Sequence, residues 1–408
     1  MTVQSIDWRP EDPAVLANPY PIFQRMRDEA PCYWSDRLRS WVITRYNDVK
    51  AMCLDKERLS SDRLRPFFES LPGSEASRIS EIIRYLSLWM VFKDPPEHTR
   101  LRRLTGKVFS ARSMQAMRPQ VEAIAKQLLD AMAEHDEIDL IADYAGPLPC
   151  LVIMAMLGVP VHELGELKRL SDEIALFIGS SRMSSDKYDK AEQATKEMAA
   201  FFKALIASRR AHPQSDAISE LVHLRDADDQ FSDDELIASC ILMLFAGHET
   251  TTNLIANGIY SLMHFPDAMT DLRCDSKLAS NAVEELLRYD GPSGSQVRVV
   301  REGFSIHGEH LEPGQRVFMM LNAANRDPRA YPEPDQLDLR RDGAPHLAFG
   351  FGTHICLGFP LARLEGAVAI PAFLERYTRL ELRQEPMWIN SLVFRGMREC
   401  LVGVRRSQ

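Results

Sequence analysis

The stretch Phe349-Gly-Phe-Gly-Thr-His-Ile-Cys-Leu-Gly358 decides how this 408-residue chain is read. Cys356 sits in a glycine-rich loop and leads directly into a helix-like run, Leu357 to Phe373. A helix N-terminus presents unpaired backbone N–H groups and the positive end of the macrodipole, and both favour a thiolate. Gly350, Gly352 and Gly358 lack Cβ, so the backbone can take unusual angles and lie close to a flat ligand. His354 and Arg363 are available for acidic groups on that ligand. The arrangement suits a thiolate bound to iron. It does not suit a dinucleotide, because Gly350-Phe-Gly352-Thr-His-Ile355 lacks the third glycine of the Rossmann fingerprint.

On these residues the chain resembles the cytochrome P450 family, the haem-thiolate monooxygenases. The family's haem-loop pattern is matched at Phe349, Gly350, Gly352, His354, Cys356 and Gly358. The resemblance covers nearly the whole chain. It implies the cytochrome P450 fold, mainly α with a smaller β-rich part, as one domain over residues 1–408. It also implies haem b with Cys356 as the iron ligand, O2 as co-substrate, and NAD(P)H as the indirect electron source.

Composition narrows the class in the same direction. Apolar content is that of an ordinary globular protein. A net charge of −9 speaks against a nucleic-acid binder. Met1-Thr-Val-Gln-Ser-Ile-Asp-Trp8 lacks the basic and then apolar regions of a signal peptide. The longest apolar stretches, Leu151 to Met156 and Cys240 to Ala246, are far shorter than a membrane span. The expectation is a soluble cytoplasmic monomer of the bacterial type. The seven cysteines are Cys32, Cys53, Cys150, Cys240, Cys274, Cys356 and Cys400. They are scattered, with no C-x-x-C pair, which argues against a disulfide framework or a cysteine zinc site.

Along the chain, Pro21 to Asp28 reads as a short helix, Ser40 to Arg45 as a strand, and Asn47 to Leu54 as a helix. Strand-like pieces return at Gln296 to Val300, Arg316 to Leu321 and Leu380 to Arg383. The β-rich portions are therefore expected near residues 30–62, 296–321 and 376–405, with helices elsewhere. Ser232 to His264 is the clearest long helix. Ser232-Asp-Asp-Glu235 is a capping box, Leu236, Ile237, Cys240, Ile241, Leu244 and Phe245 follow on helical spacing, and Phe265-Pro266 ends the run.

Midway along this helix stands Ala246-Gly247-His248-Glu249-Thr250-Thr251. Gly247 weakens the helix, and a hydroxyl at Thr250 can bond the Ala246 carbonyl four residues back. Glu249 beside Thr250 gives an acid next to an alcohol, a pair suited to passing protons. A zinc-protease reading fails, because Thr252 stands where the second histidine is required. The family's oxygen-activation motif is matched at Ala246, Gly247, Glu249 and Thr250. The resemblance accordingly makes Thr250 and Glu249 the catalytic pair and places Gly247 against the cofactor.

Further matches concern the cofactor's surroundings. His98 and Arg102 lie four apart in Asp94-Pro-Pro-Glu-His-Thr-Arg-Leu-Arg102 and share a helix face. The resemblance implies that they hold haem propionates with Arg298 and His354. Glu285 and Arg288, at i,i+3, form the family's structural pair. Its usual third member, an arginine, is replaced by Gln336 in Pro334-Asp-Gln-Leu337, and Arg340 is the candidate substitute. The family's substrate-contacting regions correspond to 80–92, 177–183, 242–245, 292–297 and 392–394. Within and beside them, Leu86, Trp89, Met90, Phe245, Ala246, Val297, Val393 and Phe394 are the expected substrate contacts. A small to medium hydrophobic substrate follows. The stretch 179–185 reads as a lid. Arg63, Arg65 and Arg84 read as surface residues, with recognition of a carboxylate by one of them as the alternative.

The chain shows no flavin or iron–sulfur module. The expected partner is therefore a ferredoxin or flavodoxin-type carrier with its reductase. The basic residues Arg100, Arg103, Lys107 and Arg112 are its expected docking patch. Two other functions fit part of the pattern. One is a haem-thiolate enzyme driven by peroxide or coupling two substrates oxidatively. The other is a haem sensor, for which no output region is left over.

Overall fold

The computed structural model describes residues 6–178, 186–224 and 229–406. The expected lid lies outside them. The fold is organised around the long helix, Asp233–His264. Its capping box is formed: the Glu235 N–H donates to Ser232 Oγ at 3.2 Å, and the Ser232 N–H donates to the Glu235 carboxylate at 2.8 Å. At 32 residues the helix is roughly 48 Å long, enough to cross a domain. It is apolar on all sides between Leu236 and Phe245, and this stretch is buried throughout. Such a helix must be sheathed by others. The helices Pro147–Leu157, Lys187–Ala211, Ala279–Asp290 and Phe359–Arg376 do this.

The segment Leu140–Leu157 is longer and more apolar than the sequence patterning suggested. Among the described residues it alone reaches the length and hydropathy of a membrane span, but 72% of it is packed inside the protein. The helix Phe359–Arg376 begins two residues later than predicted, with Gly358 at its N-cap, and carries Pro371 in its interior.

The larger sheet has five strands in the order Cys32–Ser35, Ser40–Ile43, Arg316–Met320, Ser295–Val300, Leu59–Ser60. Ser40–Ile43 runs parallel to Arg316–Met320, and the other pairings are antiparallel. One face covers a core of Trp41, Ile43, Val49, Val317 and Met319. A second sheet joins Glu137–Asp139, Leu401–Arg406 and Tyr377–Leu382.

The predicted elements are present with shifted ends. The helix expected at Pro21 to Asp28 is Tyr20–Glu29 and is preceded by a short one, Pro13–Ala17; the strand Ser40–Ile43 stops before Thr44, and Leu321 opens a short helix instead of ending a strand. The helices between Leu64 and Leu86 fall in the stretch expected to be helical, whereas the strand Glu137–Asp139 was not anticipated.

Candidate active site

The loop around Cys356 is closed by its own backbone. The Cys356 N–H donates to the Phe349 carbonyl and the Gly350 N–H to that of Leu347, both at 2.8 Å. Gly350 and Gly352 each have φ of 72°. This left-handed region is open to glycine and strained for other residues. Space demands glycine as well: a Cβ on Gly350 would collide with the Gln296 amide, and one on Gly352 would meet Leu54 and the Cys53 carbonyl. The loop is thereby pressed onto the large sheet and the helix Tyr46–Leu54.

Cys356 is exposed to a cavity of about 260 Å³. Burial pushes its thiol upward. Hydrogen bonds from the Gly358 and Phe359 backbone, with the charges of Arg102 and Arg363, act against that rise and favour the thiolate. A metal cation would add the decisive positive charge. Ala246, Gly247, Thr250 and Thr251 line the same cavity from the long helix. The Thr250 hydroxyl donates to the Ala246 carbonyl at 2.9 Å, and the helix runs unbroken through this turn. Gly247 sits against Ile153, whose side chain lies 3.1 Å from where a Cβ would be. Glu249 faces elsewhere. With His248, Lys168 and Asp172 it lines a second cavity, also of about 260 Å³. Glu249 and Thr250, neighbours in the chain, thus open on two different cavities.

The candidate propionate ligands gather in one place, except that Arg298 stands just behind. His98, Arg102 and His354 line the Cys356 cavity. The His98 and His354 rings are 4.0 Å apart, and His354 Nε2 is 3.0 Å from the Ser61 hydroxyl. Burial, followed by the charge of Arg102, lowers His98 to about 4. Burial, followed by Arg298, lowers His354 to about 3. Both rings are neutral near pH 7. Arg298 is 7% exposed and spends Nη1 on the Val297 carbonyl. Its Nη2 and the Nδ1 of His98 are buried without a protein partner. Buried polar groups are nearly always satisfied, so orphans of this kind mark where something else belongs. Donors left open beside a cavity, and a sulfur facing into it, fit a flat iron complex carrying carboxylates.

Several expectations need correction. Arg363 does not serve the cavity's acidic groups: it forks onto Glu284 at 2.6 and 2.7 Å. Arg340 does not replace the missing arginine either. It pairs with Asp271, while Arg341 Nε reaches Glu285 at 3.0 Å. Arg288 forks onto Glu285 at 2.7 and 2.8 Å, with both residues buried, and Gln336 contributes its backbone carbonyl to Arg288. Of the expected docking residues, Arg100 and Arg103 both pair with Asp229, and Arg100 pairs also with Glu235. Arg112 is exposed.

Of the expected substrate contacts, Met90 and Ala246 line the Cys356 cavity. Leu86, Trp89 and Phe245 form a packed layer behind the wall, with the Trp89 and Phe245 rings 5.3 Å apart. Val297 is buried and Val393 half-buried, neither on that wall, and Phe394 faces the second cavity. A β-strand alternates its faces, so a sequence region cannot say which of its residues point inward.

Two residues were missed. Glu365, 1% exposed, lines the cavity with one carboxylate oxygen unpartnered, and burial holds its pKa well above the usual range. Its place nine residues after Cys356 was the available signal. Arg63 is no surface residue. Its guanidinium lies 4.9 Å from the Phe92 ring centroid, and burial, then Arg298 and Arg316, lower it to about 10.

Known proteins resemble this chain along nearly its whole length. The family model for cytochrome P450 matches residues 23–394. The chain is 36% identical to cytochrome P450 monooxygenase PikC of Streptomyces venezuelae, over 96% of this chain and 92% of that one. It is 37% identical to 6-deoxyerythronolide B hydroxylase of Saccharopolyspora erythraea, over 88% of each. The solved structure of PksS, the cytochrome P450 of the bacillaene polyketide synthase of Bacillus subtilis 168, superposes with a TM-score of 0.87 at 31% identity, covering 98% of this chain and 100% of that one. With the family model spanning most of its length and relatives that are a monooxygenase and a hydroxylase, the chain belongs to the cytochrome P450 family of oxygen-incorporating oxidoreductases.

Proposed function

We propose that this protein inserts one oxygen atom from O2 into a hydrophobic organic substrate, using electrons from a separate carrier. The observation that carries the reading is the shared cavity, which has the Cys356 sulfur and the Thr250 hydroxyl on its wall and partnerless donors beside it. Haem, once bound through Cys356, supplies the activation of O2 that no side chain can perform. His98, Arg102, Arg298 and His354 hold its propionates, with Arg63 adding charge behind Arg298. Thr250 holds a proton at its hydroxyl, inside the cavity. Glu249 lines the second cavity, so its part in proton delivery runs through bridging water or a swing of its side chain between the two cavities. The apolar wall of Met90, Val91, Ile153, Leu242 and Met243 orients the substrate and keeps water away.

The named relatives suggest the substrate class. One hydroxylates 6-deoxyerythronolide B and another belongs to a polyketide synthase, so 6-deoxyerythronolide B and other polyketides head the screen. The carrier is a ferredoxin or flavodoxin, reduced by NAD(P)H through its reductase. It docks around Lys107 and Arg112, because this segment adjoins the thiolate loop: Gly106 lies against Leu357, and Phe109 against Gly358.

The test is reconstitution with carrier, reductase, NAD(P)H and O2, reading the product by mass. Product carrying one atom of labelled oxygen supports the reading. Turnover only with peroxide would replace it. Thr250→Ala should leave NAD(P)H consumption largely intact while product falls about tenfold or more, since positioned proton transfer contributes 10²–10⁴-fold. An unchanged yield per NAD(P)H would remove Thr250 from the relay.

A further inference from the structure

The second cavity holds a cluster that the monooxygenase reading uses only in part. Ligand atoms of Asp172, His248 and Glu249 all lie within 4.8 Å of one another. His248 is 2% exposed, and its Nδ1 is buried without a partner. A buried imidazole with an open nitrogen, close to two carboxylates, offers a cation one nitrogen and two oxygen ligands.

We propose that Asp172, His248 and Glu249 form a binding site for one divalent cation of the zinc class, which when filled ties up the acid of the relay. Three ligands of one nitrogen and two oxygens, with a fourth position left to water, suit zinc. The imidazole selects against magnesium and calcium, which prefer all-oxygen shells. Donors around tetrahedral zinc stand on the order of 3.3 Å apart, so the three side chains must draw inward by about an ångström. Asp172 is exposed and able to move, whereas His248 is fixed by burial. Two cations share the cavity wall. Lys168 Nζ holds Asp172 at 2.8 Å, and Arg398 stands further along. The Lys168 side chain is 44% exposed, so it can swing into solvent when a dication takes its carboxylate.

Binding itself is independent of the proposed reaction. Only the consequence for turnover rests on the role given to Glu249. The test dialyses the haem-loaded full-length protein against micromolar zinc chloride, then against magnesium chloride, and counts metal per chain. Wild type should retain one zinc ion more than Asp172→Asn or His248→Gln, with affinity in the variants weaker by about tenfold or more, and should retain no magnesium. Asp172→Asn alters an exposed side chain and decides the matter if His248→Gln does not fold. Equal zinc retention by wild type and Asp172→Asn would overturn the proposal, as would retention of magnesium in zinc's place. With the site established, zinc should lower product per NAD(P)H in wild type and leave Asp172→Asn unaffected. Wild-type binding with no such drop would overturn the link to the relay while leaving the site intact.

Discussion

Two buried polar regions of this protein sit close to the thiolate loop and are finished to different degrees. Behind the loop, Glu285 accepts from Arg288 twice, from Arg341, and from the Asp338 N–H at 2.9 Å. Arg288 spends its remaining donors on the carbonyls of Asn325, Pro334 and Gln336. Beside the cavity, His98 Nδ1, Arg298 Nη2 and one Glu365 oxygen have no partner. Leaving a buried donor or acceptor unmade costs about 1–3 kcal/mol, so the first region holds the fold together and the second works against it until a ligand arrives. Both regions are rich in charge. What separates them is whether the protein satisfies its own groups.

The sharpest way to break this contrast is to cut the finished network. Arg288→Ala should cost roughly 3–5 kcal/mol, because it strips a forked partner from a buried carboxylate. Chemical denaturation of the haem-free protein measures it, and a loss under about 1 kcal/mol would mean that the network is ornamental.

Arg298→Met asks the opposite question of the unfinished region. Burial already lowers the Arg298 pKa, so its charge is a cost to the empty protein. Removing it should leave haem-free stability unchanged or raise it by about 1 kcal/mol or more, while haem transfers to apomyoglobin faster. A variant that loses haem-free stability yet keeps its haem as tightly as wild type would reverse the contrast.

The same distinction governs what could be read from sequence. The loop was legible because its constraints are local: the left-handed angles of Gly350 and Gly352 and the helix start after Cys356 all fall within a few residues. The long helix was legible because its cap and apolar run are local too. The Glu285–Arg288 pair was visible at i,i+3, but its third member was not. Gln336 holds the expected arginine's place in the chain, yet contact is decided in space, where the turn after Asp338 brings Arg341 inward and sends Arg340 outward. Arg63 and Glu365 were missed for the same reason. Nothing in a single charged residue says whether a later segment will cover it. The substrate wall fared worst, since Trp89 and Phe245 are as apolar as any wall residue and only packing put them behind it.

Arg341 and Arg340 give the finest test, because they are adjacent, identical in type and opposite in surroundings. Arg341 is 13% exposed in its side chain and donates to Glu285 and to the carbonyls of Pro332, Glu333 and Gln336. Arg340 is 56% exposed, and its partner Asp271 is 49% exposed. A screened surface pair contributes about 0–1 kcal/mol, so Arg340→Ala should move the denaturation midpoint very little. Arg341→Ala leaves the Pro332 carbonyl and part of a buried carboxylate without a donor, while the carbonyls of Glu333 and Gln336 keep others, and should cost about 1–3 kcal/mol. Salt separates the two further. Raising ionic strength should erase whatever Arg340 contributes and leave most of the Arg341 contribution in place, because water and counterions reach the first pair and not the second. Equal losses at both positions, or equal sensitivity to salt, would return the third place in the network to open competition between the two arginines.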